Sequence, residues 1–214
     1  MSLNIARMPL YDDANRTQLR EAGWHSRGYL PHFDGRALPQ FITIHLTGSI
    51  PAKVIRSWRA EFKSLKYEQE RILLQRRIER YLDQGYGQAF LKVPDVAKMI
   101  HDSLVKFDGV RYRLFSWVVM PNHVHCLMTR FDENELSDIV HSIKSFTAHE
   151  ANRILDRAGQ FWIEEYFDRY IRNQEHFDKA VKYIENNPVK AGLCRVPEDW
   201  PYSSAWFRKQ RNTG

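Results

Sequence analysis

Alternating hydrophobic and polar positions mark the first regular segment of the chain. The alternation covers residues 40–47 and predicts a half-buried β-strand that ends at Gly48. Residues 110–120 and 123–130 are rich in β-branched and aromatic side chains, and the Pro-Asn step between them predicts two adjacent antiparallel strands. Residues 161–172 are densely aromatic and are predicted to be extended. The pattern therefore predicts four strands.

Apolar positions with helical spacing fill the segments between these strands. Residues 52–83 combine spaced apolar residues with many charges and are interpreted as one or two helices with a wide solvated face. A core helix is predicted to start at Asp95 as its N-cap, and another covers residues 136–154. The last helix is predicted to begin after its N-cap Asn173 and to end at Pro188.

The order of these elements predicts the fold class. Strand, helix, strand, strand, helix, strand, helix matches an α+β, ferredoxin-like antiparallel sheet with helices on one face and an additional C-terminal helix. We interpret residues 1–39 as an irregular N-terminal arm and residues 40–206 as one domain. A helical insertion is expected at about 52–94, and residues 207–214 form a tail.

The composition narrows the class of partner. The chain has 214 residues, with 32 Lys and Arg against 26 Asp and Glu, and this excess of six positive charges favours an anionic partner such as nucleic acid. An ordinary basic protein has the same balance. Two cysteines without a CxxC spacing exclude a thiolate metal site and fit a reducing cytosol. No run of 18 apolar residues or signal-peptide core is present, so we expect a soluble intracellular protein without a membrane partner.

Two histidines spaced by two, His123 and His125, stand in one of the predicted strands. Side chains two apart on a strand share a face, so both imidazoles can reach one metal ion. The pair alone is weak evidence, because such spacing also arises by chance in a chain with nine histidines.

Tyr183 and Asn187 are spaced by four on the last predicted helix and therefore share one of its faces, beside the apolar stripe that contains Ile184. If that face lies over the histidines, two imidazoles and one amide oxygen surround a cation with open positions. Such a mixed nitrogen and oxygen set suits Mg²⁺ or Mn²⁺. The phenol would then attack a phosphate and form a covalent phosphotyrosine. No general base can be identified from the sequence.

Spacing alone leaves function open. A tyrosine on an amphipathic helix is usually a core-boundary residue, and an asparagine before a proline is usually a helix terminator. His45, on the polar face of the first strand, is a competing ligand. A set of three histidines would instead predict zinc and a hydrolase.

Longer motifs resemble those of the REP-associated tyrosine transposases, which belong to the HUH endonucleases with a single catalytic tyrosine. The resembling segments occur in order and span most of residues 29–206: Leu30–Phe33, Phe41–Pro51, Val118–His125, Lys144–Asn152, Phe161–Arg172, Tyr183–Leu193 and Pro197–Ser204. Several motifs in the right order are far more specific than any one of them.

The resemblance implies a ferredoxin-like, HUH transposase-like catalytic domain over residues 40–206. It implies that His123 and His125 are metal ligands, that Asn187 occupies the place of the third ligand and that Tyr183 is the nucleophile. Insertion-sequence relatives often have glutamine where this chain has Asn187, whereas the REP-associated group has asparagine. The implied activity is cleavage of single-stranded DNA near a hairpin, leaving a 5′-phosphotyrosine and a free 3′-hydroxyl.

Four basic residues that flank these motifs are candidate DNA contacts: Lys144, Arg169, Arg172 and Lys190. The sequence leaves two rivals open, a domesticated hairpin-binding protein without turnover and the zinc hydrolase described above. It also leaves monomer and homodimer open. The resemblance implies a bacterial cytoplasmic protein that is associated with the nucleoid when bound to DNA.

Overall fold

The computed structural model describes residues 24–26, 31–33 and 38–212. Within the predicted arm it contains two short antiparallel strands, β1 (Trp24–Ser26) and β2 (Pro31–Phe33). The rest of the predicted arm up to residue 37 lies outside the described residues. The proposed division into arm, domain and tail stays a prediction.

A four-stranded antiparallel sheet forms the centre of the fold. Its strands are β3 (Gln40–His45), β4 (Tyr112–Val119), β5 (His123–Arg130) and β6 (Phe167–Tyr170). They lie in the order β4-β5-β3-β6, with every neighbouring pair antiparallel. The predicted α+β class with an antiparallel sheet is confirmed, because two helical crossovers place the first and third strands of the domain side by side.

Six α-helices accompany the sheet in the described part of the chain. They are α1 (Ala52–Phe62), α2 (Tyr67–Asp83), α3 (Pro94–Val105), α4 (Leu136–Ile154), α5 (Gln174–Lys190) and α6 (Ser204–Asn212). Short 3-10 turns cover Phe90–Lys92 and Pro197–Asp199. None of the described helices is both long enough and apolar enough to cross a bilayer.

The structure confirms one of the predicted helix boundaries and corrects two others. Asn173 caps α5 as predicted, with its side-chain oxygen accepting a hydrogen bond from the His176 amide. The N-cap of α3 is Val93 rather than Asp95, because Pro94 occupies the first helical position. Pro188 does not end α5. The helix runs on to Lys190 and ends before Gly192, which adopts the left-handed conformation with φ +69°.

Both faces of the sheet are covered, so the prediction of a half-buried first strand is wrong. All six residues of β3 are buried. On one face Ile42, Ile44 and Leu46 belong to a large core with α3 and α4. On the other face Phe41 packs with residues of α5. The second face of β3 is therefore covered in part by a helix from the far end of the chain, which local alternation does not reveal.

Helix α5 is held against the sheet by apolar packing and by a polar clamp, the pair of Glu185 and Arg208. Phe177, Ala180 and Ile184 pack against the sheet in one buried cluster. Glu185 accepts two hydrogen bonds of 2.7 Å from the Arg208 guanidinium of α6. These contacts fix the rotation of α5 and therefore decide which of its side chains face the sheet.

Replacing Ile184 by alanine should weaken this docking. Ile184 is fully buried, so the change removes apolar contacts and leaves a cavity, and the free energy of unfolding should fall by about 2–5 kcal/mol. Urea unfolding measures this quantity. Lys182→Ala, at an exposed position of the same helix, is the control and should change it by about 0.5 kcal/mol or less. Equal losses for both variants would contradict the packing described.

Candidate functional site

The two histidines of β5 lie on the sheet face that α5 covers. They stand opposite the first strand of the domain, with His125 paired to Thr43 and His123 paired to His45. Both imidazoles are fully buried, and their Nε2 atoms are 3.0 Å apart. Because side chains two apart on a strand share a face, the two imidazole rings lie side by side, as the sequence predicts.

Hydrogen bonds to the Nδ1 atoms orient both imidazole rings. The Asn122 amide group donates to the backbone carbonyls of Leu82 and Tyr86, which leaves its oxygen to accept from His123 Nδ1 at 2.7 Å. This arrangement puts the proton of His123 on Nδ1 and the lone pair of Nε2 toward the site. His125 Nδ1 lies 2.9 Å from the Thr43 hydroxyl, which can accept in the same way.

Helix α5 brings the predicted tyrosine and asparagine to the histidines. The ring centroids of Tyr183 and His125 are 5.5 Å apart, and Phe41 packs beside both rings. The side chain of Asn187 is buried, with 1% of its surface exposed. Neither residue ends the helix or faces solvent freely, because the docking of α5 turns their shared face toward β5.

Asp83, the last residue of α2, is the central residue that the sequence analysis missed. Its Oδ2 accepts a 2.7 Å hydrogen bond from the Tyr183 hydroxyl, and its Oδ1 accepts one of 2.9 Å from the Asn187 amide nitrogen. The same Oδ1 lies 3.6 Å from His123 Nε2 and 3.5 Å from His125 Nε2. One carboxylate thus contacts all four residues predicted for the site.

A local signal for Asp83 does exist in the sequence. An acidic residue in the last turn of a helix opposes the helix dipole, and Asp83 stands directly before Gln84 and Gly85, where helices commonly end. A residue that breaks a local rule in this way is often functional. The signal is weak without knowledge of which elements α2 meets.

The pKa values of these groups are shifted by burial and by one another. Burial alone would raise the pKa of Asp83, but the hydrogen bond to His125, the electrostatic influence of both imidazoles and the Asn187 donor outweigh it and lower the pKa. Burial, the charges of Asp83 and Glu79 and the hydrogen bond to Asp83 raise the pKa of Tyr183. The phenol is therefore held neutral in this arrangement.

A tight turn seats the end of α2 beside the histidine strand. Gly87 follows the helix with φ +80°, and a Cβ atom there would stand 2.2 Å from the carbonyl oxygen of Ser49. Only glycine can occupy that position without displacing backbone. The turn brings the Tyr86 carbonyl to Asn122 and so connects the end of α2 to the site.

The donor set fits a divalent cation. Asp83, His123 and His125 offer ligand atoms that lie within 4.8 Å of one another. The Asn187 side-chain oxygen is buried and has no hydrogen-bond partner among the described residues. An orphaned buried oxygen beside two imidazole lone pairs is what a bound cation would satisfy.

His45 lies on the same sheet face but outside this group. Its Nδ1 is hydrogen-bonded to the Ser49 hydroxyl at 2.8 Å, and its ring stacks on Phe167 with centroids 6.0 Å apart. Burial lowers the pKa of His45 to about 4. Among the described residues, the third acidic or histidine ligand beside the pair is Asp83, so the three-histidine arrangement does not form.

The four candidate DNA contacts separate into different places. Arg169 and Arg172 line a cavity of about 700 Å³ between α2, β6 and the start of α5. Lys190 lies over the Tyr183 ring, with its Nζ 5.0 Å from the ring centroid. Lys144 is elsewhere, donating a hydrogen bond to the Glu164 carbonyl, and burial lowers its pKa to about 8.

This cavity, termed the basic groove below, adjoins the site through Arg169. Its guanidinium carbon lies 4.3 Å from the Phe41 ring centroid, and Phe41 in turn contacts Tyr183. The full set of lining residues is Ile72, Gln75, Arg76, Asp168, Arg169, Tyr170, Arg172, Asn173, Glu175, His176 and Lys179.

Known proteins share both sequence and fold with this chain. The family model described as "Transposase IS200 like" matches residues 94–187. A REP-associated tyrosine transposase of Escherichia coli is 28% identical over 109 residues, which cover 50% of this chain and 63% of that protein. A Haemophilus influenzae protein named for the same group is 31% identical over 96 residues, 40% of this chain and 54% of the relative. The resemblance to the REP-associated tyrosine transposases is confirmed.

The fold is shared over a longer stretch than the sequence matches. A solved REP-associated tyrosine transposase bound to a REP hairpin has a TM-score of 0.54 with 18% identity, covering 88% of this chain and 86% of that one. The matched region of the family model ends at Asn187 and begins at Pro94, so it contains both histidines and Tyr183. It does not contain Asp83.

Asn122 should be important for stability, because it bonds two buried polar groups and a third that is partly buried. Asn122→Ala leaves the carbonyls of Leu82 and Tyr86 and the Nδ1 of His123 without this partner, and the free energy of unfolding should fall by about 2–3 kcal/mol in urea unfolding. Asn186→Ala is the control, since that amide donates only within its own helix. A loss no larger than that of the control would show that the Asn122 bridge contributes nothing.

Proposed function

We propose that this protein is a metal-dependent single-stranded DNA endonuclease and strand transferase, a transposase that acts at hairpin-forming repeats through a 5′-phosphotyrosine intermediate. The observation that carries the proposal is the convergence of one phenol and two imidazoles on one carboxylate. The Tyr183 hydroxyl is 2.7 Å from Asp83, and both imidazole Nε2 atoms lie within 3.6 Å of the same residue. The family resemblance agrees with this chemistry.

The covalent step exchanges one phosphate ester for another. The Tyr183 oxygen attacks the scissile phosphorus, forming a phenolic O–P bond while the bond from phosphorus to the 3′-oxygen breaks. Asp83 Oδ2 already accepts the hydrogen bond of the phenol and is placed to take its proton. Because the surroundings raise the pKa of Tyr183, the proton leaves as the O–P bond forms rather than beforehand. The 3′-oxygen departs and takes a proton from solvent water to become a hydroxyl.

His123, His125 and Asn187 would hold the cation, which we expect to be Mg²⁺ or Mn²⁺. When bound, it supplies Lewis-acid polarisation of the phosphate and offsets the negative charge beside the phenol. The phosphotyrosine retains the energy of the broken ester, so a 3′-hydroxyl can attack it and restore a DNA strand. This reversibility suits strand transfer better than hydrolysis.

The surroundings of the site favour a single strand as substrate. The imidazoles are buried beneath α5 and Tyr183 of that helix is partly buried beside them, so a rigid duplex backbone would have to bend sharply to enter. An unpaired strand can lie in the basic groove, with phosphates near its arginines and bases against Tyr170. The solved relative is bound to a REP hairpin, and we extend a hairpin substrate to this chain. Its bacterial relatives support a place in the cytoplasm, at the nucleoid when bound to DNA.

Replacing the phenol tests the nucleophile. A pool of DNA hairpins with randomised single-stranded arms, labelled at the 3′ end, is incubated with the protein and Mn²⁺ and resolved on a denaturing gel. We expect the label to move onto the protein, because the 5′-phosphate of the downstream fragment becomes attached to Tyr183. Tyr183→Phe should abolish this band, since it removes the attacking oxygen and leaves the ring contacts in place.

The outcomes separate the rival functions. The same pool labelled at the 5′ end should release a free fragment with a 3′-hydroxyl and give no labelled protein. A band that persists in Tyr183→Phe would refute the assigned nucleophile. Hairpin binding without any band would support a domesticated binding protein, and zinc-dependent cleavage that tolerates Tyr183→Phe would support a hydrolase.

The basic groove predicts the salt dependence of DNA binding. Arg76→Gln with Arg172→Gln removes two exposed cations from its rim. If each contacts one phosphate, the slope of log affinity against log salt should fall by about 1.4 for single-stranded DNA. Fluorescence anisotropy at several salt concentrations measures the slope.

The control removes equal charge from the opposite side of the sheet. Lys98→Gln with Arg153→Gln alters two exposed ion pairs on α3 and α4. Their slope should match that of the unmodified protein. Equal slopes for both double variants would show that DNA does not use the groove.

A further inference from the structure

We propose that the helical insertion completes the metal site: Asp83 binds the same divalent cation as His123 and His125 and also positions Tyr183. The inference rests on the proposed function and deepens it. It concerns a residue outside the segment that the transposase family model matches, residues 94–187. The four site residues predicted from the sequence do not include it.

The distances between donor atoms suit ligands of one ion. The Nε2 atoms of His123 and His125 are 3.0 Å apart, and Asp83 Oδ1 lies 3.6 and 3.5 Å from them. Nitrogen and oxygen ligands at about 2.0–2.2 Å from a cation lie roughly 3.0–3.5 Å from one another when adjacent. The three atoms therefore form one face of a coordination shell without any large rearrangement.

The two oxygens of the Asp83 carboxylate contact different partners. Oδ1 faces the imidazoles and the Asn187 amide, whereas Oδ2 accepts the Tyr183 hydroxyl. A carboxylate that uses one oxygen as a ligand keeps the other free to accept a hydrogen bond. Asp83 can therefore bind the cation and orient the phenol at the same time, which fixes the distance between nucleophile and metal.

The charge of Asp83 is compensated by groups of the candidate metal site. Asp83 is the last residue of α2, where the helix dipole disfavours negative charge, and 21% of its side chain is exposed. Among the described residues, the basic side chains within 4.0 Å of its carboxylate are the two imidazoles, and no Lys or Arg lies that close. Glu79, one turn earlier, is buried beside Arg169 and also accepts from Gln75. The charge of Glu79 is thus offset by an arginine, whereas the carboxylate of Asp83 lies beside the two imidazoles.

A metal ligand on α2 would couple cation binding to the docking of the insertion. Asn122 already joins the end of α2 to the histidine strand through the Leu82 and Tyr86 carbonyls. A cation bound by Asp83 and the histidines would add a second connection at the same place. Binding that favours the docked state stabilises it, so the end of α2 should open less often when the cation is bound.

The test measures cation affinity in the absence of DNA. Isothermal titration of the full chain with Mn²⁺ is compared for the unmodified protein, Asp83→Asn and Asp83→Ala. Asp83→Asn preserves the shape and one acceptor oxygen but removes the charge. We expect affinity to fall by about tenfold or more, and further for alanine, since even outer-shell partners change metal affinity by roughly 10–100-fold.

Glu79→Gln is the matched control, because it removes the same charge from the same face of α2 one turn away. Its Mn²⁺ affinity should stay close to that of the unmodified protein. Urea unfolding of each metal-free variant separates loss of a ligand from loss of the fold. If Asp83→Asn binds Mn²⁺ as tightly as the unmodified protein, or if Glu79→Gln weakens binding equally, Asp83 is not a ligand.

Hydrogen exchange provides an independent test of the proposal. Mn²⁺ should protect the amides of residues 79–86 in the unmodified protein but not in Asp83→Ala. Protection confined to residues 122–126 and 183–187 would overturn the proposal. These results are distinguishable from failure of the proposed function, because a protein that forms no covalent DNA adduct can still bind Mn²⁺ through Asp83, and an adduct can form with Asp83 serving only the phenol.

Discussion

A carboxylate buried among hydrogen-bond donors is the interaction on which the candidate site depends. Asp83 lies between the Tyr183 hydroxyl, the Asn187 amide and two imidazoles, and each of these groups would be left with an unsatisfied buried polar atom or a changed position without it. Such a charge is tolerated in a protein interior only where several partners compensate it. The need for compensation is also what draws five residues from three distant segments together.

The sheet and the helices packed against it fix the relative positions of the site residues. The sheet face carries the histidines, and α5 carries the tyrosine at a rotation that apolar packing and the clamp between Glu185 and Arg208 determine. The end of α2 is held by Asn122, whose oxygen orients His123 and whose nitrogen donates to the Leu82 carbonyl. A single side chain thus connects the ring tautomer to the placement of Asp83.

The proposed chemistry makes sense of both the enclosure and the adjoining basic groove. A phenol whose pKa is raised needs a nearby proton acceptor and a positively charged centre at the moment of attack. Asp83 Oδ2 accepts the hydrogen bond of the phenol, and Asp83 Oδ1 lies 3.5 and 3.6 Å from the imidazole Nε2 atoms. The groove with Arg169 at its inner end gives a phosphate backbone a route to the same place. Affinity and reactivity therefore come from neighbouring but separate groups of residues.

The sequence by itself determined the periodic features and indicated four of the candidate site residues, but not Asp83. Strand and helix spacing predicted the ferredoxin-like order, and the two-residue and four-residue spacings predicted which side chains share a face, because both depend only on local backbone geometry. The burial of β3 on both faces, the continuation of α5 past Pro188 and the N-cap of α3 were missed or misplaced. Only the tertiary structure decided that α5 lies over the histidines and that Asp83 enters from α2. These contacts join residues 40 to 104 positions apart, and no local pattern encodes such a distance.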